Sequence, residues 1–249
     1  RIEVGSDLQL NWQDEVSERD RVKDKSSGKL CTLKTQKLDN SSVHTAFKAL
    51  LDNYKADVGM SETETEAERR EQDTFLNRLI ERPVIKEVHK YLVSIHLAPA
   101  DREGFKSLLR NVWFAGYKRR SPNDSSAFEH VFLGEKNKGK VSGFHNWFVF
   151  CDQEANGDID YHGFYRSFKN QPEGNFKRTL RFKWKNLMKE KSTLLFGASV
   201  EFELGLYTTI YLISKQSQKW RCVPVQIGQV RTCVQCYDHK GHMGTCYAM

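Results

Sequence analysis

Apolar positions in the first half of the chain recur every three to four residues. Val43, Ala46, Phe47, Leu50, Leu51 and Tyr54 form one such stripe, and Ser41 or Ser42 stands where a helix would need a side-chain cap. Ser61 with Glu64 has the spacing of a capping box, ahead of a highly charged stretch that turns apolar at Phe75, Leu76, Leu79 and Ile80. Pro83 suits a first helical turn, and Val84, Val88, Tyr91, Leu92 and Ile95 make the next stripe before Pro99. Phe105, Leu108, Leu109, Val112 and Trp113 keep the i, i+3, i+4, i+7, i+8 pattern without a break. The first 120 residues therefore predict helices packed on a core.

Past Ser121-Pro122-Asn123-Asp124 the pattern changes to glycines, aromatics and short alternating runs, which predict strands and turns. Residues 144–151 and 158–165 flank Asn156-Gly157, a pair that tolerates positive φ, and so predict a hairpin. Further strands are expected over 193–199, 205–213 and 219–227, with a C-terminal hairpin around Asp238 to Gly244. The expected fold is α+β in a single domain over 1–249. A helical N-terminal lobe (1–120) precedes a β-rich lobe of antiparallel sheets (121–249).

With 249 residues, 39% of them hydrophobic, the chain can bury a full core. No apolar run approaches the roughly 18 residues that a membrane span needs, so none is expected. Lys and Arg exceed Asp and Glu by seven (39 against 32), which points to an anionic partner or simply to a soluble basic surface. Much of the excess is local: Lys169, Lys177, Arg178, Arg181, Lys183, Lys185, Lys189 and Lys191 face only Glu173 and Glu190 across that stretch. Phe176, Phe182 and Trp184 are interleaved with them, as on an RNA-binding surface. Six cysteines leave the redox compartment open. The chain opens on Arg1 with no visible signal peptide, and a leader or upstream module could precede it, so localisation stays undecided.

Two histidines carry the candidate chemistry. His130 lies in Glu129-His130-Val131-Phe132-Leu133-Gly134-Glu135, and His145 lies in Gly139-Lys140-Val141-Ser142-Gly143-Phe144-His145-Asn146-Trp147. Imidazoles titrate near pH 6.5, so a pair of them can supply a base and an acid. In RNA the 2′-hydroxyl is a built-in nucleophile. One imidazole can take its proton, the other can protonate the departing 5′-oxygen, and a cation can stabilise the phosphate, with no obligatory metal. Alone, two histidines are more often structural than catalytic.

The run E-H-V-F-x-G-E, then G-K-V-S-G-F-H-N-W, then Gly157 with Asp160-Tyr161, resembles the central signature of the EndoU family, uridylate-specific endoribonucleases. The resemblance continues at Phe196 to Glu203 and at Leu206-Tyr207-Thr208, with Val200 where the family usually has proline. It implies cleavage of single-stranded RNA at uridylates with 2′,3′-cyclic phosphate ends. It places the catalytic histidines on His130, as acid, and His145, as base. The family's catalytic lysine, eight residues before the glycine of F-x-G, falls on Lys189 with Thr193 four residues after it; Lys191 is the competitor. Thr245 and Tyr247 resemble the T-x-Y pair that reads and stacks on uracil, although Tyr247 could be an ordinary strand aromatic. Glu129 and Glu135 would be auxiliary acids, and Gly143 would let a backbone N–H face phosphate or would merely make a turn.

The resemblance also implies a response to a divalent cation, manganese or calcium. Asp152, Glu154, Asn156, Asp158 and Asp160 imitate part of a calcium loop, but Gly163 replaces its closing glutamate and a hairpin turn explains them equally well. Cys233-x-x-Cys236 with His239, His242 and Cys246 suggests either zinc or free or partly paired cysteines in a hairpin. The expected partner is single-stranded RNA, bound by a monomer; protein partners are not indicated. The rival functions are a non-catalytic RNA-binding protein and a calcium-switched module. Family members occur both secreted and inside cells.

Overall fold

The computed structural model describes residues 7–17, 23–34, 38, 40–165 and 176–249. Lys169 and Glu173 of the basic run lie outside these residues.

Four helices follow the apolar stripes. α1 (Ser42–Ala49) is capped by Ser41, α3 (Pro83–Ser94) begins on its proline, and α4 (Arg102–Phe114) is capped by Asp101. α2 (Glu66–Leu79) starts four residues later than Ser61 suggested, because the capping box is Thr65 with Glu68. Their apolar faces meet in an aromatic cluster. Phe47 packs edge-on against Phe128 at 5.7 Å between ring centres, and Trp113 packs against Phe132 at 5.2 Å. Phe128, Val131 and Phe132 belong to or adjoin a π-helical turn (Glu129–Leu133), so the segment that carries His130 is anchored on both sides in the core.

Three short strands precede these helices, which the purely helical reading of the first 120 residues missed. β1 (Leu8–Leu10) pairs antiparallel with β3 (Cys31–Leu33), and β2 (Glu15–Val16) runs parallel to a strand of the second half. Segments of two or three residues are too short to show a period.

The second half holds a small hairpin, β4 (Glu135–Asn137) with β5 (Lys140–Ser142), and two larger sheets. One has the order β2-β6-β7-β8, where β6 is Ile159–Tyr165, β7 is Lys177–Trp184 and β8 is Leu187–Leu195. The other has the order β11-β10-β9, where β9 is Val223–Ile227, β10 is Val230–His239 and β11 is His242–Ala248. The C-terminal hairpin is present as expected. One hydrophobic cluster runs through both halves of the chain. The fold is α+β, as the patterning implied.

Two expected strands are helices. Residues 147–155 form α5 (Trp147–Ala155), capped by Asn146, and 205–213 lie within α6 (Val200–Ser217), capped by Ser199. Trp147, Phe148, Val149, Phe150 and Cys151 are all buried, so α5 has no polar face over those turns and apolar spacing could not reveal it. α6 is likewise buried on several sides at Leu204, Tyr207, Tyr211 and Leu212. Asn156 and Gly157 end α5 rather than closing a hairpin, with Gly157 at φ +85°. The basic run is also not an open surface: Phe182 and Trp184 point into the core from β7, and Lys177 and Arg181 are buried.

Among the described residues no cysteine is free. Disulfides join Cys31 to Cys151, Cys222 to Cys233 and Cys236 to Cys246, which removes the zinc reading because its thiolates are spent. No helix among the described residues is long and apolar enough to cross a membrane.

Candidate active site

His130 and His145 are brought together by backbone, not by chance proximity of side chains. Phe144 N donates to the His130 carbonyl at 3.0 Å and His145 N donates to the Val131 carbonyl at 2.7 Å. Such close approach requires Gly143. It has φ +63°, and a Cβ at this position would stand 1.8 Å from the His130 carbonyl oxygen. The sequence suggested a phosphate-facing N–H or a turn; the structure gives the glycine a packing reason.

Both imidazoles are held through Nδ1, but by partners of different charge. His130 Nδ1 meets the Glu135 carboxylate at 2.6 Å, so Nδ1 carries the proton and donates it, leaving Nε2 as the working nitrogen. His145 Nδ1 lies 3.2 Å from Ser192 Oγ, whose single proton goes to the Phe144 carbonyl. Ser192 Oγ can then only accept from His145, which fixes the neutral tautomer with a bare Nε2. Burial depresses both imidazoles. For His130 the Glu135 charge opposes burial, whereas for His145 the charges of Lys189 and His130 add to it, so His145 lies well below the ordinary histidine value and His130 less far below. Neighbouring groups thereby push the two imidazoles apart in proton affinity, as an acid–base pair requires.

Lys189 joins them through an irregularity in the sheet. Between the pairs Leu180↔Ser192 and Phe182↔Lys189, β8 advances three residues while β7 advances two. The extra residue lets Lys189 and Ser192 point to the same side although they are three apart. Lys189 is buried, and burial pushes its ammonium down to about 8. Lys191 is exposed and lies over the Tyr165 ring at 5.1 Å. Of the two lysines, the first is with the histidines.

The substrate-side candidates are distributed around this set. The Tyr247 ring stacks on His145 at 4.7 Å and 12° between planes, and remains partly exposed. Thr245 Oγ1, on the same strand, is buried without a hydrogen-bond partner. Thr193 Oγ1 is bonded to Thr179 Oγ1 at 2.9 Å.

The two glutamates part company. Glu135 is fully buried; burial alone would raise its carboxyl, but His130, Arg119 and Ser125 together hold it below the usual carboxylate range. Glu129 turns instead into a half-open cleft of about 910 Å³ lined by Tyr54, Glu62, Glu68, Asp73 and Arg110. Neither of its oxygens has a partner, and burial, with Glu135 and Glu62 nearby, pushes its carboxyl up to about 10, so it is a neutral acid.

The imitation calcium loop does not form. Asp152 and Glu154 lie on α5, and Glu154 accepts from the backbone N–H groups of Leu30 and Cys31 at 2.8 Å each, which anchors β3. Asn156 is the helix cap, and Asp158 follows it in the turn to β6. Asp160 alone keeps a ligand-like setting, because it shares with Asp24 and His162 a group of donor atoms all within 4.8 Å of one another. Ser192, Ser125 and Arg119 escaped the sequence reading, since a serine or arginine one shell behind a histidine has no spacing signature.

Two imidazoles with free Nε2 atoms beside a buried ammonium have the chemistry to move protons to and from a phosphodiester, and a nuclease is the class such an arrangement fits. The chain matches the Endoribonuclease XendoU family over residues 1–248, and it belongs to that family of RNA-cleaving enzymes. It is 37% identical to the uridylate-specific endoribonuclease B of Danio rerio, covering 99% of this chain and 89% of that one. It is 34% identical to the poly(U)-specific endoribonuclease of Xenopus tropicalis, over 99% and 87%. The solved structure of XendoU, described as a splicing-independent snoRNA-processing endoribonuclease, superposes with a TM-score of 0.86 at 33% identity, over all of this chain and 90% of that one.

Proposed function

We propose that this chain cuts single-stranded RNA at uridylates by attack of the ribose 2′-hydroxyl, leaving a 2′,3′-cyclic phosphate. The observation that carries the reading is the different partner of each Nδ1–H, a carboxylate at His130 and a neutral hydroxyl at His145, which leaves both Nε2 atoms free and favours the imidazolium only at His130. His145 Nε2, bare because Nδ1 donates to Ser192, takes the 2′-hydroxyl proton. The freed oxygen bonds to phosphorus, the bond from phosphorus to the 5′-oxygen breaks, and His130 Nε2–H gives that oxygen its proton. Glu135 supports the imidazolium form of His130 before transfer. The Lys189 ammonium stabilises charge on the phosphoryl oxygens. Tyr247 offers its ring to the base, and Thr245 Oγ1 offers an unused hydrogen bond to the base edge.

A divalent cation, manganese or calcium, finds a donor set in Asp24, Asp160 and His162. One nitrogen and two carboxylate oxygens suit manganese better than calcium. Bound there it would tie the segment after β2 to β6, and none of the steps above runs through it.

Product mapping on a mixed-sequence RNA tests the reading. Cuts after uridines with cyclic phosphate ends are expected, and an RNA carrying 2′-deoxyuridine at the cut position should stay intact because it lacks the nucleophile. Binding without cutting would leave an RNA-binding protein instead. Lys189→Ala should abolish cleavage and Lys191→Ala should spare it; the reverse outcome moves the cation to Lys191.

A further inference from the structure

The guanidinium of Arg119 lies between the two ends of this site. Its Nε donates to Ser125 Oγ at 2.8 Å and lies 3.4 Å from Glu135 Oε2, the oxygen that also meets His130. Its Nη2 donates to Tyr117 OH at 2.8 Å and to the Gly244 carbonyl at 2.6 Å. The arginine itself is fixed: Asp124 accepts from the backbone N–H groups of Arg119, Arg120 and Ser121 at 2.7–2.9 Å, which closes the turn that presents it.

Gly244 is not an arbitrary acceptor. Where Tyr237 pairs with Thr245 and Asp238 pairs with Met243, β11 carries one residue more than β10, and that residue is Gly244. A bulge leaves its extra residue out of the ladder, so its carbonyl needs a partner from elsewhere. Arg119 supplies the shorter contact at 2.6 Å, with Tyr117 OH donating at 3.4 Å, immediately before Thr245.

We propose that Arg119 is a positioning residue that couples the acid His130 to the strand that reads the base, holding the Glu135 carboxylate through Nε and the Gly244 carbonyl through Nη2. The proposal rests on the reading of His130 as acid and Thr245 as base reader given above. Lysine cannot reproduce it, because one ammonium has no fork with which to span both acceptors. The charged groups that face His130 are Glu135 from β4, Arg119 from the loop after α4, Lys189 from β8 and His145. Of these, Arg119 and Lys189 oppose its protonation and Glu135 favours it. Removing the arginine charge must therefore move His130 titration to higher pH, while loss of the Gly244 contact must loosen the reading of the base.

The test uses the full chain with R119M and R119K. Titration of the His130 imidazole by nitrogen NMR without RNA is compared with the ratio of kcat/KM for uridine over cytidine at the cut site. R119M should raise the His130 midpoint and reduce the uridine preference about tenfold, the weight of one hydrogen bond. R119K should leave the midpoint near that of wild type and still lose preference; it carries the test alone if R119M does not fold. Unchanged titration and preference, even with a lower melting temperature, would reduce Arg119 to a structural residue. Movement of only one readout in R119M also overturns the coupling. A wild-type chain that cuts no RNA overturns the functional reading itself and this proposal with it, a result distinct from either of those.

Discussion

Replacement of Gly143 by alanine is the sharpest single perturbation of the histidine pair. The new Cβ would lie 1.8 Å from the His130 carbonyl oxygen, where real contacts do not fall under 3.0 Å, so the two segments must separate by at least 1.2 Å. The neighbour is backbone and cannot swing aside. Separation strains the bonds from Phe144 N and His145 N that register the two histidines. Alanine at φ +63° costs about 1 kcal/mol, and the two hydrogen bonds add about 1 kcal/mol each, so about 3 kcal/mol of stability should be lost. For a chain of this size that lowers Tm by roughly 6–12 °C. A shift of about 1 Å between acid and base costs roughly 100-fold in kcat/KM. Gly139→Ala is the control. It has φ +76° but nothing within 4 Å of its Cβ, so strain of about 1 kcal/mol is expected with cleavage kept within about twofold. Thermal melts and initial rates on a fluorescent uridine oligonucleotide measure both. Equal activity in the two variants would refute the argument, because it would mean that the close approach is not what aligns the histidines.

Glu135→Gln removes the charge that opposes burial at His130, so the imidazole should lose its proton more easily and the alkaline limb of kcat/KM should move to lower pH. A limb that stays in place would separate His130 from that limb. Glu129 is held at about 10 against an ordinary 4.5, so its contribution to stability is complete below about 4.5 and is lost as pH rises towards 10. Glu129→Gln should therefore raise Tm relative to wild type more at pH 9 than at pH 5, and a constant difference between the two would contradict the buried neutral acid. Cys31 and Cys151 lie 120 residues apart, against 11 for Cys222 and Cys233. Loop entropy makes the first bridge worth about 5 kcal/mol and the second about 3, so serine replacement of the long-range pair should lower Tm further. The opposite order would show that strain or residual structure outweighs chain entropy.

The helices of the first half were legible because each has a buried and an exposed face, and the caps at Ser41 and Pro83 mark their starts. α5 and α6 were not, because burial on all sides erases the period that distinguishes a helix from a strand. The short strands β1 to β3 escaped for a different reason: their pairing partners are distant in sequence, and β2 borrows its sheet from β6. Aromatics among the lysines of β7 suggested an RNA surface, but alternation along a strand sends Phe182 and Trp184 inward whatever their neighbours are.

By itself the sequence determined the α+β class and singled out His130 and His145 with a lysine at 189 or 191 and Tyr247 as a candidate aromatic companion. It did so because those residues keep their type within recognisable local runs. Only the tertiary structure decided how they are held. The bulge in β8 separates Lys189 from Lys191, Ser192 and Glu135 hold the two Nδ1–H groups with different charge, and Glu129 is turned away from the histidine it adjoins in sequence. Protonation, tautomer and side-chain direction depend on groups drawn from distant strands and on the water excluded between them, and spacing along a chain carries neither.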